Sequence, residues 1–161
     1  MGMFNSVNSE GRVAIIGAGF SGIAAAIELK RKGLNNFIIL EQEAGLGGTW
    51  WNNRYPGAEV DLESHIYSFS FEYYDWTRTH ASWRELLGYI QHVARKWNLE
   101  SHIHLNERVE SVTWSDERKE YRIETTSSQE KIGGLLRTRF QRIEITSISR
   151  CFPFRPEHQR I

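Results

Sequence analysis

The 161 residues carry 20 Lys/Arg against 20 Asp/Glu, with 40% hydrophobic and 25% charged residues. That balance is globular rather than disordered, and a formal charge of zero argues against a general binder of nucleic acid or of acidic membrane surfaces. One cysteine, Cys151, excludes an intrachain disulfide and leaves no zinc-ligand cluster, and no apolar run reaches the ~18 residues needed to span a bilayer.

The charge is unevenly spread: residues 131–161 hold 7 Lys/Arg against 2 Asp/Glu, leaving 13 against 18 in residues 1–130. The opening MGMFNSVNSEG lacks the basic start and apolar stretch of a secretory signal. Residues 1–11 are expected to be a flexible N-terminus, 12–130 a domain, and 131–161 a basic, atypical tail. A cytoplasmic location is the default expectation.

In chain order, RVAII (12–16) is a short apolar run that stops at Gly17. FSGIAAAIELKRKG follows at helical spacing, with Lys30, Arg31 and Lys32 in the last turn, where cations suit the negative end of the helix dipole, and Gly33 as a natural stop. FIIL (37–40) is again continuous and branched, ending at Glu41. Strand, glycine turn, helix and buried strand make a βαβ unit, because buried strands of a parallel sheet read as unbroken apolar runs. Residues 61–67 admit a short helical turn, and the aromatic run IYSFSFEYYDW (66–76) predicts a strand or an irregular cover. SWRE (82–85) has the form of a capping box opening a helix whose buried face is Trp83, Leu86, Leu87, Ile90, Val93, Ala94 and Trp97. HIHL (102–105), VESVTW (109–114) and EYRIE (120–124) read as strands, SDERK as a polar connection, and RFQRIEITSI (139–148) as one further strand.

GAGFSG (17–22) is G-x-G-x-x-G between a predicted strand and a predicted helix. Gly17 permits the tight turn, Gly19 lets backbone approach a pyrophosphate, and Gly22 allows close helix–strand packing. The phosphates would rest on the unpaired amides at the helix start. Glu41 ends the second strand 19 residues after Gly22, where a carboxylate can accept from ribose hydroxyls and repel a 2′-phosphate. That favours FAD or NAD over NADP. GGTW (47–50) follows at the carboxyl edge of the sheet, so the amides of Gly47, Gly48 and Thr49 suit an extended cofactor and Trp50 could cover a flat ring. Trp50 and Trp51 read equally as buried aromatics. Asp61, by itself, reads as an N-cap or as a carboxylate that holds a cation.

GAGFSG, LEQEAGLGGTWWNNRYPGAEVDLESHIYSFSF and ASWRELLGYIQHVARKWNL together resemble the N-terminal FAD-binding part of the Baeyer–Villiger monooxygenases, class B flavin enzymes. The likeness covers residues 12–124. It implies a Rossmann-like α/β fold with a parallel sheet, here an incomplete domain, and tight binding of FAD. It also implies NADPH as reductant and insertion of one oxygen atom from dioxygen into a ketone to give an ester or lactone. Carried across residue by residue, Gly17, Gly19 and Gly22 match the FAD fingerprint and Glu41 the ribose-binding acid. Gly48, Thr49 and Trp50 match the loop along the cofactor, Tyr67 a cofactor contact, and Val109 a position whose backbone meets the adenine. Asp61 matches the catalytic-site aspartate that orients an arginine and the nicotinamide, and Arg54–Gly57 the turn shaping it.

The family pattern also includes a second GxGxxG-type motif for NADPH, an FxGxxxHxxxW fingerprint and an active-site arginine, none of which stands in these 161 residues. The reading is therefore the front part of a ketone-oxidising monooxygenase without its NADPH site, the alternative being a non-catalytic FAD-binding module. Neither nucleic acid nor membrane is an expected partner. Apolar faces left uncovered would favour association or aggregation.

Overall fold

The computed structural model describes residues 13–117, 120–126 and 142–143. The expected flexible N-terminus lies outside the described residues, as does the basic tail apart from 142 and 143. Strand β1 (Val13–Ile16) leads through a glycine turn into helix α1 (Phe20–Arg31), and β2 (Phe37–Leu40) returns beside β1. The two strands pair in parallel, from Val13 opposite Phe37 to Ile16 opposite Leu40. A two-residue β3 (Ile103–His104) adds to β2, and β6 (Arg142–Ile143) adds to β1, giving a parallel sheet of order β3-β2-β1-β6. This is a Rossmann-like βαβ architecture, and β6 falls within the strand expected over 139–148.

Successive residues of β1 and β2 serve opposite faces. Val13, Ile15, Phe37 and Ile39 pack with α1 and with α3 (Trp83–Lys96), whereas Ala14, Ile38 and Leu40 pack with Ile123, Val109, Val112 and Tyr121. The second set belongs to an antiparallel hairpin of β4 (Val109–Ser115) and β5 (Glu120–Thr125) lying on the far face of the sheet. Burial from both sides is why RVAII and FIIL are unbroken apolar runs.

Helix α3 buries Leu86, Leu87, Ile90, Val93 and Ala94 as its spacing predicts, together with Tyr89. Ser82 stands at its N-cap, but the capping box does not form: no side chain caps the helix, and the Glu85 carboxylate turns away to accept from Thr77 N–H at 2.8 Å and Thr77 Oγ1 at 3.0 Å. Glu85 thus fastens the preceding loop to the helix. Lys30 is likewise used by a neighbour. Its Nζ donates to Trp97 O at 2.8 Å and Asn98 O at 3.1 Å, satisfying orphan carbonyls at the end of α3 rather than of α1.

A short helix α2 (Thr49–Asn52) follows the second glycine pair, and residues 53–81 then form an irregular aromatic cover. Within 61–67 the chain makes one turn, closed by Tyr67 N–H to Glu63 O at 3.1 Å. The cover is pinned by buried polar groups. Tyr89 Oη accepts from Phe69 N–H at 2.8 Å and donates to Glu72 O at 3.3 Å, while the buried Glu72 carboxylate takes Lys96 Nζ and Trp97 Nε1. Ser64, also buried, donates to Thr79 O and accepts from Ala81 N–H, both at 2.8 Å.

Candidate functional site: a glycine-lined cleft at the carboxyl ends of β1 and β2

The chain leaves β1 through Gly17, whose φ of +93° is a backbone conformation that glycine adopts without strain. Its N–H donates to Leu40 O at 2.8 Å, keeping the turn over the end of β2. Gly22, one turn into α1, leaves no room for a side chain: a Cβ there would fall 1.9 Å from Gly17 O. Helix and strand approach because this position is glycine.

Gly19 is the N-cap of α1 and brings no capping side chain, so the amides at the helix start keep their donors for a ligand. Gly48 faces it. A Cβ on Gly48 would lie 3.0 Å from Gly19 Cα, and Gly47 N–H donates to Ala18 O at 3.0 Å, so the two glycine turns are held against each other. The remaining glycines of the second loop make room for indole and helix: a Cβ on Gly45 would strike the Trp51 ring, and one on Gly47 would strike Leu87 of α3.

Glu41 is 5% exposed, and its carboxylate accepts from Ala18 N–H at 2.6 Å and Glu43 N–H at 3.0 Å. Each bond leaves the oxygen a further lone pair, so the group can grip the glycine turn and still accept from a hydroxyl. The exit of β2 is bound to the segment before β4 by Glu41 N–H to His104 O at 2.9 Å and Glu107 N–H to Glu41 O at 2.8 Å. That stitching carries Val109 to the same place.

The result is one cleft of about 440 Å³ lined by Gly17, Gly19, Glu41, Gly48, Thr49 and Val109. Six sequence-predicted site residues therefore meet around one cavity. Ile16, Leu40, Gln42, Asn52, Asn53, Glu107 and Arg108 complete the lining. None of these seven was singled out in the sequence. Ile16, Leu40, Gln42 and Arg108 each adjoin a predicted site residue in the chain and Glu107 lies two before Val109, and that proximity is the signal the sequence holds for them. The two asparagines belong to a turn too short to show periodicity. The uncapped start of α1 beside a carboxylate suits a diphosphate on one side and a ribose on the other.

The other candidates stand elsewhere. Gly22 lies behind the turn, against Ile15. Trp50 is buried, its Nε1 donating to Tyr67 Oη at 3.3 Å with the rings edge to face at 5.9 Å. Tyr67 also packs on Phe20, the first residue of α1, at 5.1 Å between centroids. Trp51 instead carries the Arg54 guanidinium over its ring at 4.5 Å. Asp61 is exposed on the aromatic cover and is not among the residues lining the cleft. Among the described residues no group of three or more His, Cys, Asp or Glu could hold a metal ion, and no helix is long and apolar enough to cross a membrane.

Residues 14–132 match the family model described as pyridine nucleotide-disulphide oxidoreductase. The chain belongs to that family, and within it to the N-terminal FAD-binding region of the Baeyer–Villiger and related class B flavin monooxygenases. A Baeyer–Villiger monooxygenase of Streptomyces coelicolor is 39% identical over 126 residues, which are 78% of this chain and 24% of the relative. One of Pseudomonas aeruginosa is 45% identical over 109 residues, 67% of this chain and 20% of the relative. Among solved structures, cyclohexanone monooxygenase from Rhodococcus sp. Phi1 bound to NADP+ superposes with a TM-score of 0.73 at 30% identity, covering 82% of this chain and 24% of that one. The chain thus spans about a quarter of the length of the proteins it matches. Family and fold imply FAD binding.

Proposed function

We propose that this chain binds FAD and forms the front part of an NADPH-using monooxygenase of Baeyer–Villiger type, converting ketones to esters or lactones. The observation that carries the reading is the convergence of Gly17, Gly19, Glu41, Gly48, Thr49 and Val109 on one cleft. The residues fit the ADP half of FAD. A Cβ on either facing glycine would enter the space between the two turns, the uncapped start of α1 suits the diphosphate, and Glu41 suits the ribose. Val109 would meet the adenine through its backbone. The bound flavin supplies the oxygen-transfer chemistry, while this chain orients the cofactor and excludes water from its diphosphate.

Trp50 and Tyr67 would shape the wall toward the flavin through their mutual hydrogen bond and the packing of Tyr67 on Phe20. Asp61 would act in the whole enzyme by orienting an arginine and the nicotinamide, for which its exposure leaves access. The similarity to a steroid monooxygenase bound to NADP (TM-score 0.68, 34% identity) supports NADPH as reductant of the whole protein. Leu62 and Ile66, both more than half exposed beside Asp61, would drive association of the isolated chain.

Purification from a flavin-sufficient host, followed by heat release and chromatography of the bound flavin, tests the reading. FAD in stoichiometric amount is expected. A colourless, folded chain that also fails to take up added FAD would refute it.

A further inference from the structure

The side chains around the cleft are poor in positive charge. Among the described residues that line it, Glu41 and Glu107 are carboxylic and Arg108 alone is cationic. The helix start at Gly19 contributes only partial charge, whereas a dinucleotide brings two full negative charges on its diphosphate.

The backbone around Arg108 is held on both sides. Glu107 N–H donates to Glu41 O at 2.8 Å, and Arg108 O accepts from Thr126 N–H at 2.9 Å. The side chain, by contrast, is 66% exposed, and its ion-pair partner among the described residues is Glu110, Nε to Oε1 at 3.4 Å. The same Glu110 oxygen accepts from Thr126 Oγ1 at 3.2 Å. A solvent-exposed pair at that distance contributes little, and a guanidinium forms stronger paired bonds with phosphate than one long contact with a carboxylate.

We propose that Arg108 is a further ligand-binding residue of the cleft, exchanging Glu110 for the diphosphate of the bound dinucleotide. The proposal rests on the reading of the cleft as a dinucleotide site. The backbone at 107–109 serves the adenosine side, and Arg108 lines the same cleft as Gly19 and Gly48, its long side chain having the reach to leave Glu110 for the diphosphate. Glu110 then acts as a parking place that keeps the cation beside the cleft.

The experiment is calorimetric titration of the 161-residue chain and of its R108M and R108K variants with FAD, ADP and adenosine, at low and at high salt. R108M should weaken FAD and ADP about five-fold at low salt and leave adenosine unchanged, with the loss shrinking as salt screens the charge. R108K should recover most of the lost affinity. Equal ADP affinity of wild type and R108M would overturn the proposal, and so would a matching loss for adenosine, which would place the guanidinium on the base. If the unaltered chain bound none of the three ligands, the dinucleotide reading itself would fall. A chain that binds FAD indifferently to position 108 sinks the arginine assignment alone.

Discussion

The Glu41 carboxylate reaches back from the end of β2 to take the backbone N–H of Ala18 at 2.6 Å, so the acid expected to hold a ribose also holds the glycine turn. Ala18 is fully buried. Removing the acceptor strands a donor that water does not reach, beyond any loss of ligand contact. Glu41→Ala should therefore lower stability by about 1–3 kcal/mol and weaken FAD by at least about ten-fold. Urea unfolding without ligand checks the first effect and calorimetry the second. Unchanged stability would mean that the hydrogen bond to Ala18 is dispensable.

Two of the fingerprint glycines, Gly22 and Gly19, should separate by phenotype. Gly22→Ala places its methyl on Gly17 O and should destabilise the fold by about 1–3 kcal/mol. Gly19 has φ −80° and ψ −171°, open to any residue, and its Cβ would meet the Gly48 backbone at ordinary contact, Cα at 3.5 Å and N at 3.9 Å. Gly19→Ala should keep its stability within about 1 kcal/mol yet lose FAD affinity, because the methyl enters the approach to the diphosphate. Thermal melts with and without FAD distinguish the two. Equal melting losses for both variants would contradict the assignment of roles.

Much of the fold and half of the site were legible in the sequence, for reasons visible in particular residues. RVAII and FIIL announce β1 and β2 because both faces of each strand are covered, and α3 shows its buried face at 3.6-residue spacing. The aromatic cover was not legible as a definite structure. Its shape depends on Tyr89, Glu72 and Ser64 making hydrogen bonds to residues 17 to 25 positions away, and no local pattern encodes those. Glu85 followed the capping-box pattern but found Thr77, a partner supplied by tertiary structure. In the site, Arg108 carried no signal beyond its place next to Val109.

Alkaline pH should weaken the aromatic cover through Tyr89. Burial pushes its hydroxyl up to about 12; the Phe69 N–H offsets part of that rise, and the nearby Glu72 charge adds to it. With an ordinary tyrosine value of about 10 in the unfolded chain, the folded state retains this proton longer. The contribution to stability is complete below pH ~10 and is lost as pH rises from there toward ~12, at about 1 kcal/mol per unit. Tyr89→Phe should be less stable at neutral pH and should lose that part of the alkaline slope. An identical slope in both proteins would rule out Tyr89 as its source.

The 161-residue chain alone, loaded with FAD, should not couple NADPH oxidation to oxygenation of a ketone. It spans about a quarter of the length of its relatives, and a flavin without the remaining enclosure lies open to water. Incubation with NADPH and a panel of cyclic and linear ketones, with products detected by mass, checks this. Ester or lactone above the free-flavin control would show that the chain holds a complete catalytic site.

The central claim is that the cleft between Gly19, Glu41 and Gly48 binds the adenosine diphosphate half of FAD. Parallel calorimetric titrations of the chain with FAD, FMN and ADP test it most directly. FMN lacks the adenosine, ribose and adenine alike, so Glu41 and Val109 have nothing of it to hold. FAD should bind far more tightly than FMN, with ADP competing for the same site. Equal affinities for FAD and FMN, or ADP that fails to displace FAD, would contradict the account.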